Sequence, residues 1–176
     1  MTVEFRHFTA LAPETRRALL DVYAEVRAPL LHEPNYRVEA FTDRLDRHLA
    51  DAGFALVLGF DGAAPIGYAY GNTVEADDRY WQRMAEPLPD GFTATPVLAI
   101  KEIGVRAPWR GTGAARRMHD ALLAGRAESR VMLMVNPLAG DGKVRRLYES
   151  WGYTPFNSQP ASAVSPELTV MIRPTS

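Results

Sequence analysis

Val105-Arg106-Ala107-Pro108-Trp109-Arg110-Gly111-Thr112-Gly113-Ala114-Ala115 joins a strand-like run to the start of a helical one. Its two glycines remove side chains where a ligand must come close to the backbone, and the small Ala114 and Ala115 keep that surface open. The first N–H groups of a helix have no internal acceptor and lie at the positive end of its dipole, so the turn suits a diphosphate. Arg110 and Arg116 would add charge to that cradle. A plain loop whose glycines serve only turn geometry is the alternative reading of the same residues. Two better-known phosphate signatures fail here. A Walker A loop needs Lys and then Ser or Thr after its second glycine, and neither this turn nor Gly140-Asp141-Gly142-Lys143-Val144 has that spacing. A dinucleotide fingerprint needs Gly or Ala three residues beyond Gly113, where Arg116 stands.

Outward from the turn, the periodicity gives the fold. Val3 to Phe8 alternates apolar and polar residues as a strand does, and Pro13 to Arg27 carries Leu19, Leu20, Tyr23 and Val26 at helical spacing. Pro29 and Pro34 break that helix, and Val38 to Ala50 resumes the period with Val38, Phe41, Leu45 and Leu49. Phe54 to Phe60 and Pro65 to Val74 flank Asp61-Gly62, which predicts an antiparallel hairpin. Residues 75–94 sustain neither period and read as a long functional loop. Val97 to Val105, Gly113 to Leu123, Val131 to Val135 and Val144 to Trp151 then read strand, helix, strand, helix. That crossover makes the fourth and fifth strands parallel neighbours, and Glu167 to Ile172 closes the sheet.

The 176 residues suit one domain, which removes roughly 70% of its unfolded surface from water. With 20 Lys and Arg against 21 Asp and Glu, no global field attracts nucleic acid or an anionic membrane, so any anion must be caught locally. The absence of Cys excludes a disulfide framework, a thiolate metal site and a cysteine nucleophile. His7, His32, His48 and His119 show neither HExxH nor paired spacing, so no metal site is expected. The N-terminal MTVEFRHFTA has no leader pattern and no segment is long enough to span a bilayer, so the expectation is a cytoplasmic protein.

Arg110, Gly113 and Ala115 fill the pattern Arg or Gln, two variable residues, Gly, one variable residue, then Gly or Ala. Ile100-Lys101-Glu102-Ile103-Gly104-Val105 precedes it, and Leu147-Tyr148-Glu149-Ser150-Trp151-Gly152-Tyr153 follows. In these three segments, in this order, the chain resembles the GNAT superfamily of acetyl-CoA-dependent N-acetyltransferases. It departs from the family pattern at Ala114, where a larger aliphatic is usual, and at Asp141, where Asn often stands. The first half carries no family motif.

The resemblance implies one α/β domain over residues 1–176: a mixed, mostly antiparallel twisted sheet of about six to seven strands flanked by about four helices, its parallel fourth and fifth strands splayed. It implies that main-chain groups of Ile103, Gly104 and Val105 pair with the pantetheine arm of acetyl-CoA like an added strand. Arg110, Gly111, Thr112, Gly113, Ala114 and Ala115 would hold the diphosphate, and Asn136 would meet a pantetheine amide.

Transfer of an acetyl group to an amine needs a neutral nitrogen, a polarised carbonyl and a proton for the departing thiolate. Tyr148 shares a helical face with Val144, Leu147 and Trp151. Its phenol, of reference pKa about 10, can protonate a thiolate whose conjugate acid lies near about 8.5. It is the expected general acid, the alternative being a core tyrosine with a satisfied hydroxyl. Glu102, a carboxylate in mid-strand, is the expected base, since burial would raise its pKa toward a useful range. A water chain in that role, a solvent-facing Glu102, or an ion pair with Arg106 are the alternatives. A main-chain N–H near Ile103 to Val105, at a strand irregularity, would meet the carbonyl oxygen.

The acceptor, a primary amine of a small molecule or peptide, would meet Arg27 to Tyr36 and the 75–94 loop. Glu75, Asp77 and Asp78 hint at a cationic acceptor on which Tyr80 and Trp81 stack; a solvated acidic loop with its aromatics folded onto the core is the alternative. Pro155 to Pro166 would cover the site or a neighbouring subunit, which leaves a homodimer open. A different class, a non-catalytic acyl-CoA-binding module, would keep the cradle and lack the chemistry.

Overall fold

A computed structural model describes residues 2–176. Seven strands, β1 (Val3–Phe8), β2 (Ala55–Asp61), β3 (Ala64–Val74), β4 (Val97–Val105), β5 (Arg130–Val135), β6 (Thr154–Gln159) and β7 (Leu168–Pro174), form one sheet in the order β1-β2-β3-β4-β5-β7-β6. Five α-helices accompany it: α1 (Pro13–Val26), α2 (Val38–Leu49), α3 (Arg79–Gln82), α4 (Ala114–Leu123) and α5 (Lys143–Ser150). The contacts group into two compact units, residues 1–72 with 101–125 and residues 73–100 with 126–176. Among the described residues no helix is long and apolar enough to cross a membrane.

In the first unit, β1 and β2 run antiparallel with Val3 opposite Asp61 and Phe8 opposite Leu56. The β2–β3 hairpin closes through Gly62, whose φ of 61° a side chain would resist, between the paired Asp61 and Ala64. Strand periodicity puts Leu56, Leu58, Tyr68 and Tyr70 on one face, where they join Leu19, Val22 and Tyr23 of α1 and Phe41 and Leu45 of α2 in a single core. Tyr23 stacks flat on Phe41 with ring centroids 3.8 Å apart. The other face takes α4: Met118 packs against Gly59 and Gly67, where an added Cβ would meet its side chain at 3.2 and 2.7 Å.

In the second unit, β4 and β5 are parallel, as the crossover requires, and their ladder pairs Leu98, Ala99 and Ile100 with Val131, Met132 and Leu133. β5 and β6 each run antiparallel to β7. The sequence reading missed β6, which has Pro155 and polar residues instead of alternation and is bulged between Pro155 and Asn157, as suits an edge strand. It also read residues 75–94 as loop throughout. They hold α3, one turn capped by Asp78 Oδ1 on the Tyr80 N–H at 2.8 Å, and Tyr80 and Trp81 are buried with Val74, Val97, Ala99, Met132 and Val170. Trp81 Nε1 donates to the Glu75 carbonyl at 2.8 Å. These rings are core, so stacking of Tyr80 and Trp81 on an acceptor does not hold, and Asp78 is spent as a helix cap.

Candidate active site

The turn after β4 has the geometry its sequence predicts. Gly111 and Gly113 adopt left-handed φ values of 75° and 82°, which lets the chain reverse into α4. Gly113 is the N-cap residue and has no capping side chain; the Ala114 N–H reaches Thr112 Oγ1 at 3.4 Å, and the next amides of the first turn have no acceptor within the helix. Thr112 Oγ1 donates to the Trp109 carbonyl at 2.5 Å and braces the loop from within. Arg110 Nε donates to the Val105 carbonyl at 3.2 Å, while Arg116 lies 3.5 Å from Asp120 one helical turn on, so part of the cationic charge expected of Arg116 is neutralised. The donor set of this turn, main-chain amides at a helix start with Arg110 beside them, fits a diphosphate.

Just after β4, the Arg106 N–H donates to the Ile66 carbonyl at 2.8 Å, and within the strand the Gly104 carbonyl lies against Gly67. Strand alternation therefore turns the main-chain groups of Ile103 and Val105 away from β3. Gly104 has to be glycine: a Cβ there would meet the Tyr68 hydroxyl at 2.7 Å.

Glu102 is the centre of a charged cluster that sequence spacing does not show. Its side chain is 14% exposed; Oε2 accepts from Arg27 Nη2 at 3.1 Å and Oε1 lies 3.6 Å from Arg44 Nη2. The expected alternative partner, Arg106, pairs with Glu25 instead at 2.5 Å. Arg27, the C-cap residue of α1, also donates to the Ile103 carbonyl at 3.4 Å, and Arg44 of α2 donates to the Asn35 carbonyl at 2.7 Å. Tyr23, Tyr68 and Tyr70 surround the cluster, and burial, with the nearby Glu102 charge, raises the pKa of each phenol. The Tyr68 hydroxyl is fully buried with no acceptor among the described residues. His48 Nδ1 sits 2.9 Å from the Tyr70 hydroxyl, and burial, then Lys101, Arg44 and Arg47, push its pKa down to about 3. Neither arginine was singled out for Glu102 from sequence; two guanidinium groups on separate helices facing one carboxylate is a three-dimensional fact.

In the second unit, Tyr148 is half-buried on α5, edge-on to Trp151 and Tyr153 with centroids at 5.3 and 6.0 Å. Leu147, expected on the same buried face, is 45% exposed. Asn136 follows β5, its Oδ1 accepting from the Leu138 N–H at 3.0 Å, which leaves the amide nitrogen as its outward donor. Asp141 stands at a φ of 55° between two left-handed glycines, a conformation that Asp, like Asn, tolerates better than most residues.

The chain thus has a strand followed by a glycine turn and a helix start, on a mixed sheet with one parallel pair, the arrangement that the resemblance implies. Residues 17–153 match the model of the acetyltransferase (GNAT) family, and the chain belongs to that family. No curated protein sequence matches the chain significantly. Solved structures share its fold: an acetyltransferase from Thermus thermophilus (18% identity, 99% and 97% of the two chains covered, TM-score 0.63), Arabidopsis thaliana NAA60 in complex with acetyl-CoA (14%, 98% and 98%, 0.64), and the ribosomal-protein-S18-alanine N-acetyltransferase from Escherichia coli (14%, 99% and 95%, 0.64).

Proposed function

We propose that the whole chain, residues 1–176, is one N-acetyltransferase domain that acetylates a primary amine of a small molecule or peptide by direct attack in a ternary complex. Acetyl-CoA, when bound, supplies the activated thioester. One observation carries this reading: Gly111 and Gly113 lead into the start of α4 directly after a strand whose Ile103 and Val105 main-chain groups face away from β3. In this reading those groups take the pantetheine arm, Arg110 to Ala115 take the diphosphate, and Asn136 donates its amide N–H to the arm. As the C–S bond breaks, Tyr148 gives its phenolic proton to the departing thiolate and is reprotonated by the proton that the acylated nitrogen releases. Glu102 accepts the proton of the ammonium group, directly or through a water chain, while Arg27 holds Oε2 and fixes the rotamer.

A thiol-release assay with acetyl-CoA and a panel of primary amines tests it. Amine-dependent release is expected, with Tyr148→Phe lowering kcat by about 100-fold while acetyl-CoA affinity persists. Full turnover by Tyr148→Phe removes that residue from the mechanism. Acetyl-CoA binding without release for every amine favours the non-catalytic module, and no affinity for CoA removes the reading altogether.

A further inference from the structure

The Glu102 cluster offers more donors than it has acceptors. Arg27 and Arg44 carry five N–H groups each. Their charged and carbonyl partners are Glu102, the Ile103 carbonyl, and the carbonyl and side-chain oxygens of Asn35, with the neutral hydroxyls of Tyr68 beside Arg27 and Tyr23 beside Arg44. Arg27 Nε is buried with no acceptor at all among those residues. One carboxylate thus faces two guanidinium groups. Nearby charges do not redress the balance: Lys101 and Arg47 add positive potential at His48, which burial and these cations keep neutral, and Asp46 is taken by Arg16 at 2.8 Å. The arginine side chains remain 26% and 21% exposed, so a solute can reach them.

We propose that this cluster selects acceptors bearing an oxyanion, a carboxylate or a phosphate, close to the amine, with Arg27 and Arg44 as the specificity-determining pair. The proposal rests on the acetyl-transfer reading and deepens it. Guanidinium forks match both oxyanions with paired, charge-assisted hydrogen bonds. Arg27 Nη2 also touches the Ile103 carbonyl, on the main-chain stretch assigned to the cofactor, so an anion held there belongs to a short molecule whose amine is only a few bonds away. The surplus of positive charge has a second effect: it disfavours the ammonium form and so supplies the neutral nitrogen that attack requires.

The test compares matched amines in the thiol-release assay: β-alanine against propylamine, and phosphoethanolamine against ethanolamine. The anionic member of at least one pair is expected to show a kcat/KM about tenfold or more above its neutral partner, a ratio that shrinks with added salt and falls to about twofold or less in Arg44→Gln. Whichever pair discriminates identifies carboxylate or phosphate. The wild-type comparison needs no variant, so misfolding of Arg44→Gln leaves the test intact. Ratios near one in both pairs, in a protein that does acetylate amines, overturn the proposal and leave acetyl transfer standing. If no amine releases thiol, calorimetry decides: tighter binding of β-alanine or phosphoethanolamine than of the neutral amines supports the anion site although the transfer reading has failed, and no binding of either overturns it.

Discussion

At Gly113 the backbone φ is 82°, and space is not what excludes a side chain there, since a Cβ would meet nothing within 4 Å. Conformation alone demands glycine: a left-handed alanine costs on the order of 1 kcal/mol or more. Gly113→Ala is therefore expected to fold, to lose about 1 kcal/mol of stability, and to bind acetyl-CoA several-fold more weakly as the first turn of α4 re-aims its amides. Thermal melts and calorimetry on the same samples check both. Unchanged affinity would detach the turn from cofactor binding. Glu102 behaves differently, because its environment is set by Arg27 and Arg44, 75 and 58 positions away in the chain, by the differences 102 − 27 and 102 − 44. No local pattern encodes such a meeting.

Elements with strong periodicity were readable from the amino-acid order. β1, β4 and α1 fall within a residue of the expected bounds because alternation or a 3.6-residue stripe runs through them. α3 and β6 were not readable. One helical turn is too short to show a period, and β6, with a proline, a bulge and burial that grows along its length instead of alternating, carries no period of two. The aromatic residues of the 75–94 stretch look the same on paper whether they stack on a ligand or on a sheet; burial against Val97 and Met132 decides for the sheet. In the candidate site, the turn was legible because backbone chemistry needs glycines at fixed positions, whereas the arginine partners of Glu102 were not. The α1–α2 layer also gives a stability prediction. Phe41 is fully buried and stacked on Tyr23, so Phe41→Ala should cost about 3–5 kcal/mol in denaturant unfolding. A loss under about 1 kcal/mol would mean that the two helices contribute little to the core.

For the molecule as a whole, two partly buried groups, His48 and Glu128, make stability depend on pH on the acid side. His48 is neutral when folded, with its pKa pushed down to about 3, and takes a proton when unfolded near about 6.5. The unfolded state binds more protons between those values, so the stability this site provides is complete above the unfolded pKa and declines as pH falls through the window, by up to about 1.4 kcal/mol per unit. Glu128 acts lower. Although burial opposes its charge, hydrogen bonds from Arg126 and Thr73 hold its pKa below the ordinary value, so its contribution is present above about 4.3 and is lost as pH falls through the folded pKa. Thermal melts from pH 7.5 to 5 should show wild type losing stability and His48→Gln a flatter profile. Parallel profiles would mean that His48 takes its proton at the same pH in the folded and unfolded states.

Trp109 belongs to the turn whose glycines shape the cradle; its indole is half-buried and the Arg106 guanidinium lies 5.3 Å from the ring centre. The other two of the three tryptophans, Trp81 and Trp151, are only 8% and 6% exposed within their core packing. The chain thus carries a built-in optical reporter: emission that shifts or quenches on titration with CoA, and that stays constant in Trp109→Phe, would register occupancy of the turn without any label.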